Sequence, residues 1–264
     1  MNICLIGAGR IGIVHAIAIS SEKNTILHSV VDVNQPAAED LAKKYSAQVL
    51  TIDEAFSNED IDAYIIASST ATHADLIEKC SKVGKPVFCE KPLAISVSEC
   101  LRVKNVVDKH RDRTVMLGFV RRYDRSYADA KFKLESGLVG KPFFIRSQTV
   151  DKDSFAPFQI EFCKSGGGIF HDFNVHDIDL VHWFSGVSIN KVWSLGGAYR
   201  FKEFAEKDDA DNTYAMCELD NGSMALIGAS RVSPFGHNTF TEIQATHGNL
   251  KIGDPPKKNQ VQSK

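Results

Sequence analysis

A chain of 264 residues, 43% hydrophobic and 24% charged, has the composition of an ordinary globular protein and room for one large or two modest domains. Its formal net charge of -2 gives no field that would gather nucleic acid or an anionic membrane, so neither is expected as a partner. The start, Met1 to Ile6, lacks the basic and long apolar regions of a signal peptide, and no apolar run approaches the roughly 20 residues of a membrane span, which makes a cytoplasmic protein with small-molecule ligands the expectation.

The first 120 residues alternate short Val- and Ile-rich runs with amphipathic stretches of helical period, the pattern of a parallel sheet covered by helices. A strand over Ile3–Ile6 runs into Gly7-Ala8-Gly9-Arg10-Ile11-Gly12, and a helix over 11–20 comes after it. A G-x-G-x-x-G run between a strand and a helix reads as a dinucleotide-binding turn, with a plain turn as the alternative that the glycines alone leave open. Gly7 permits the tight turn, Gly9 lets backbone approach a pyrophosphate, Gly12 allows close helix packing, and the helix N-terminus supplies partial positive charge. Ile11 lies within that turn; Arg10 either steadies the pyrophosphate or is an exposed helix-start residue. A second strand, 27–33, carries Asp32 twenty residues after Gly12. A carboxylate there accepts hydrogen bonds from ribose hydroxyls and repels a 2′-phosphate, so NAD is favoured over NADP.

A helix over 37–45, a strand over 63–68, a helix over 74–83 and a strand over 86–89 come next. The last of these ends in Cys89-Glu90-Lys91-Pro92, on the sheet edge where doubly wound folds bind ligands. A lysine there holds an ammonium beside a substrate oxygen; a surface Glu-Lys pair is the bland alternative. A helix over 97–109 and a strand over 115–119 complete an N-terminal α/β domain, residues 1–120.

Beyond Gly140-Lys141-Pro142 the pattern becomes one of longer strands with period-two alternation, including a hairpin from 212–219 through Asn221-Gly222 to 224–230. Residues 121–264 are read as an α+β domain with a mainly antiparallel open sheet and a polar, frayed tail, Asp254 to Lys264. One amphipathic helix, about Ile169 to Phe184, interrupts the strands after Gly166-Gly167-Gly168. At helical spacing Asp172 and His176 share a face, beside the apolar stripe Ile169, Phe173, Leu180 and Phe184. An aspartate that orients an inward histidine is the usual arrangement of a general base; a core histidine satisfied by a carboxylate is the competing reading. A metal site is not indicated, because His171 and His176 diverge around a helix and no H-E-x-x-H occurs. Asn174 and Tyr123 are candidate contacts to substrate hydroxyls. The six cysteines are scattered without a C-x-x-C pair and are expected to be reduced core residues.

Taken together, Gly7–Gly12, Glu90-Lys91-Pro92, Gly167-Gly168 and Asp172-x-x-x-His176 resemble the glucose-fructose oxidoreductase/inositol dehydrogenase/rhizopine catabolism (Gfo/Idh/MocA) family of NAD(P)-dependent oxidoreductases. The resemblance implies a Rossmann domain followed by an open-sheet domain, with Lys91, Asp172 and His176 serving one catalytic site. The implied reaction is oxidation of a secondary hydroxyl of a polyol or sugar, inositol above all, with NAD. It further implies that Ser68, Ser69 and His73 lie near the nicotinamide half of the cofactor, that Glu90 and Lys91 join the cofactor site, and that the protein is a homo-oligomer through its open sheet face. Family members continue past a strand like Asn249–Ile252, whereas this sequence stops at Lys264. That difference keeps open a rival reading, a non-catalytic NAD-binding protein.

Overall fold

Alternation within the first strand sets the architecture of the first half of the molecule. In β1 (Asn2–Ile6), Cys4 and Ile6 belong to one apolar cluster and Ile3 and Leu5 to another. Successive strand residues point to opposite faces, so a strand apolar on both must be covered on both. The computed structural model describes residues 1–110, 112–233 and 236–253; the tail expected to fray lies outside them. The chain divides into two compact units, Met1–Gly118 and Phe119–Lys264, each built on its own six-stranded sheet.

In the first unit β1 is succeeded by α1 (Arg10–Ser21), β2 (Ile26–Val31), α2 (Gln35–Tyr45), β3 (Gln48–Val49) and α3 (Ile52–Ser57). Then come β4 (Ala63–Ile66), α4 (Thr70–Val83), β5 (Val87–Cys89), α5 (Val97–Lys109) and β6 (Val115–Leu117). All strands are parallel, in the order β3-β2-β1-β4-β5-β6, the doubly wound order that reverses between β1 and β4. Helix ends reflect local chemistry. Asn34 caps α2 and Ser96 caps α5 through side-chain oxygens, Thr51 and Glu54 form a capping box on α3, and Gly84 closes α4 in the left-handed region.

The second unit opens with a 3-10 turn, Val120–Tyr123, and α6 (Arg125–Glu135), whose first turn is capped by Asp124. After β7 (Pro142–Lys152) come α7 (Ala156–Gly166), a π-helical turn over Phe170–Asn174, α8 (Val175–Ser185) and β8 (Ile189–Gly197). The hairpin of β9 (Asn212–Leu219) and β10 (Met224–Ser233) precedes β11 (Asn238–Ala245) and β12 (Gly248–Ile252). The sheet order is β12-β11-β7-β10-β9-β8, and only the β7–β10 pair is parallel. Ile145, Ala215, Cys217, Leu219, Ile227 and Ile243 on one face pack against Leu180, Val181 and Phe184 of α8 and Tyr127 and Ala130 of α6. Tyr214 and Met216 alternate with these along β9 and are exposed, as are Trp193 and Leu195 on β8.

Two expectations change here. The helix expected over Ile169–Phe184 is not one continuous α-helix: its first turn is π-helical and its regular part begins at Val175. Helices α6 and α7 add to the single helix anticipated in this half. All six cysteines are free thiols, five of them buried and Cys100 partly so. Burial pushes the Cys4 thiol up to about 11 and raises those of Cys80 and Cys89 well above the usual range, as befits inert core residues. Among the described residues no helix is long and apolar enough to cross a membrane.

Candidate functional site

Five strand ends in the first unit stand in register. Ile6 pairs with Val31 and with Ile66, Ile66 with Cys89, and Cys89 with Leu117. The carboxyl edge of the sheet therefore carries, in one row, the Gly7 turn, Asp32, Ala67-Ser68, Glu90-Lys91 and Gly118. This is where doubly wound sheets hold ligands.

The glycine turn has no room for side chains. Gly7 has φ +111°, and a Cβ on it would lie 2.5 Å from the Ala67 carbonyl carbon. A Cβ on Gly12 would lie 2.0 Å from the Gly7 oxygen, so α1 can pack this closely only through a glycine. Gly9, by contrast, is exposed and a Cβ there would meet nothing within 4 Å, which leaves a bare stretch of backbone at the start of α1. Arg10 is exposed and Ile11 half-buried beside it. The Asp32 carboxylate accepts from Ala8 N at 2.6 Å and from Asn34 N at 2.8 Å, locking the turn to the end of β2. A carboxylate offers about four acceptor directions, so two remain for ribose hydroxyls. A pyrophosphate cradle without side chains, a helix N-terminus and a ribose acceptor fit a dinucleotide.

Ser68 Oγ pairs with Thr72 Oγ1 at 2.7 Å, and Ser69 stands exposed at the start of α4. His73 is buried: Nδ1 faces the Pro92 oxygen at 2.8 Å and Nε2 the Ser68 oxygen at 3.2 Å. The imidazole thus lies between the two loops after β4 and β5, with one ring nitrogen toward a carbonyl of each. Lys91 is half-buried on the second of these, which contains the cis Lys91–Pro92 bond. Glu90 turns its carboxylate inward, to His15 Nε2 at 2.8 Å and to the Lys91 backbone N at 3.2 Å. His15, a half-buried residue of α1, escaped the sequence reading because its partner lies 75 residues away.

In the second unit the turn that carries Asp172 is held at both ends. Gly167 and Gly168 take positive φ, and the Asp209 carboxylate accepts from Ile169 N at 3.0 Å while pairing with the buried Arg231. At the other end Asp177, fully buried, accepts from Arg121 Nη1 and Thr149 Oγ1, both at 2.8 Å, from Ser147 Oγ at 2.6 Å and from Asn174 Nδ2 at 3.1 Å. These bonds pin the start of α8 to β7. Asp172 and His176 are half-buried, and the His176 ring meets the Phe119 ring edge-on at 6.3 Å. π-Helical turns occur often at functional sites, because the extra residue re-aims a side chain.

Asn174 is corrected from the substrate contact the sequence suggested. It is 0% exposed, and its amide spans Asp177, the Gly228 oxygen and Thr213 Oγ1, a packing role under the sheet. Tyr123 is exposed at the end of its 3-10 turn.

A parallel doubly wound sheet with this edge defines a dinucleotide-binding protein. Residues 1–119 match the model of the oxidoreductase family with an NAD-binding Rossmann fold, and residues 127–251 match that of the GFO/IDH/MocA C-terminal domain. The chain belongs to this family, and NAD is its cofactor. It is 34% identical to scyllo-inositol 2-dehydrogenase (NAD(+)) of Bacillus subtilis strain 168, over 94% of this chain and 72% of that protein. It is 30% identical to myo-inositol 2-dehydrogenase of Thermotoga maritima, over 95% of this chain and 74% of that one. The crystal structure of scyllo-inositol dehydrogenase from Lactobacillus casei with bound NAD(H) and scyllo-inositol superposes with a TM-score of 0.91 at 31% identity, covering 99% of this chain and 78% of that one.

Proposed function

We propose that the protein oxidises a secondary hydroxyl of a polyol, an inositol above all, with Lys91, Asp172 and His176 as its catalytic residues. The observation that carries this reading is the row of strand ends in register, which brings Lys91 to the same sheet edge as the glycine turn and Asp32. The similarity to two inositol 2-dehydrogenases over more than nine tenths of the chain supports the substrate class.

NAD, when bound, supplies the acceptor for the hydride that leaves the carbinol carbon. Gly7, Gly9, Gly12 and Asp32 would hold it, with Ile11 beside the turn and Ser68 and Ser69 further along the edge. One imidazole nitrogen of His176 takes the hydroxyl proton, and the Lys91 ammonium stabilises the negative charge that develops on the oxygen. Asp172 orients the imidazole and favours its protonated form. Tyr123 offers a phenolic hydroxyl to a further substrate hydroxyl. The open face of the second sheet, with Trp193, Leu195, Tyr214 and Met216 exposed, supports a homo-oligomer in which a second copy covers it.

Initial rates of NAD reduction across inositol stereoisomers, aldoses and dihydrodiols test the reading. The expected result is fastest turnover with an inositol. Turnover confined to aldoses or dihydrodiols would reassign the substrate, and none with any member of the panel would remove the proposal.

A further inference from the structure

The carboxylate of Glu90 is drawn inward by α1 at the point where the next residue is Lys91. His15 Nε2 lies 2.8 Å from Glu90 Oε1, and Glu90 Oε2 lies 3.2 Å from the Lys91 backbone N. A carboxylate only accepts, so both nitrogens donate to it. The surroundings are shaped to this pair. Phe88 sets its ring against the His15 ring in a T-shaped contact at 5.2 Å. A Cβ on Gly118 would lie 2.9 Å from Phe88 Cζ and 3.2 Å from Glu90 Oε2, so the end of β6 leaves the space that the carboxylate fills. None of His15, Phe88 and Glu90 belongs to the two apolar clusters that build this unit, and the side chains of His15 and Glu90 keep 17% and 22% of their surface exposed. A partly exposed pair at the rim contributes little to holding the sheet together. Its reach is local: α1 begins at the glycine turn, and the loop it grips carries Lys91. The other side of that loop is held by His73 through the Pro92 oxygen.

We infer that His15 is a positioning residue for Lys91: through Glu90 it fixes the Lys91 backbone to the helix next to the glycine turn, and so sets where the ammonium stands relative to the bound dinucleotide. This deepens the proposed function and rests on its assignment of Lys91. The chemistry needs the ammonium at hydrogen-bond distance from the developing alkoxide and held there to within about half an ångström, and displacement of a reacting group by about 1 Å costs roughly 100-fold in rate. Glu90, which the family resemblance implies is part of the cofactor site, acts here as the link between His15 and Lys91.

His15→Ala and His15→Gln are compared with wild type in three measurements on the full chain: amide hydrogen exchange at Lys91 without ligand, NAD affinity by fluorescence titration, and kcat and KM for the best polyol of the panel. For His15→Ala we expect faster exchange at Lys91, by ~10-fold or more as the local hold is released. NAD affinity and thermal midpoint should stay near wild type while kcat falls ~10- to 100-fold with little change in KM for NAD. His15→Gln keeps a donor within reach of Glu90 and should restore most of the rate and the slow exchange. Unchanged Lys91 exchange in His15→Ala overturns the inference. So does a rate loss that tracks a fallen thermal midpoint and is not restored by Gln, since that marks a purely structural histidine. Lys91→Ala separates the two levels: normal turnover in that variant removes Lys91 from the proposed chemistry, while the exchange measurement still decides whether His15 holds the loop.

Discussion

The two units position their candidate functional side chains by opposite means. In the first, strands of a parallel sheet end in one row, so Gly7, Asp32, Ser68 and Lys91 reach one edge by register alone. In the second, Asp172 lies on a π-helical turn held by Asp209 at one end and by the buried Asp177 network at the other. Backbone pairing fixes the first arrangement and tolerates side-chain change around it. The second depends on a few charged groups taken out of water, where loss of one partner leaves the others uncompensated.

The difference is sharpened most by breaking the buried ion pair. Asp177→Ala strands Arg121, which is 8% exposed and bonded to Asp177 and Thr149. We expect a loss of about 3–5 kcal/mol in chemical denaturation of the second unit, the usual cost of removing one member of a buried pair. The dinucleotide edge of the first unit should survive, read as retained NAD binding under native conditions. A loss below about 1 kcal/mol would mean that the network is not what pins α8.

This contrast also explains what could be read from the sequence. Helix α5 and strand β9 match their expected bounds, Val97–Lys109 and Asn212–Leu219, because periodicity and turn signals are local. The glycine turn and Asp32 were legible for the same reason: the sheet places them at a fixed spacing. Helix α3 was overlooked although Thr51-x-x-Glu54 is a capping-box signature, and α6 and α7 were hidden among strand-like or polar residues. The π-helical turn could not be read, since it depends on Arg121, Ser147 and Thr149, which precede Asp177 by 56, 30 and 28 residues. Asn174 looked like a binding residue because an asparagine beside Asp172 and His176 is polar, and only tertiary structure shows it inside the core.

A smaller effect probes the first unit. Asp32→Ser removes the charge that repels a 2′-phosphate and one acceptor for the ribose, and should narrow the preference for NAD over NADP by roughly tenfold. Direct titration with both dinucleotides checks it; an unchanged ratio would break the ribose argument.

The smallest concerns acid. Burial works to raise the Asp211 carboxyl, but the N–H groups of Tyr199, Phe201 and Arg200 and the Asn212 amide outweigh it and hold the carboxyl below its ordinary value. A group depressed on folding contributes stability above its unfolded-state pKa, near 3.9, and loses that contribution as pH falls through the folded value. Wild type should therefore lose stability more steeply than Asp211→Asn below about pH 4, measured as denaturation midpoint against pH. Parallel curves would show that Asp211 contributes no acid sensitivity.

The central claim is that His176 takes the proton as a polyol hydroxyl is oxidised, and the turnover of His176→Ala on the best inositol, measured beside its NAD affinity, tests it most directly. The account predicts a rate lower by about 10²–10⁴-fold with NAD binding intact. Near-normal turnover in that variant would contradict it and leave the Asp172–His176 turn a purely structural feature.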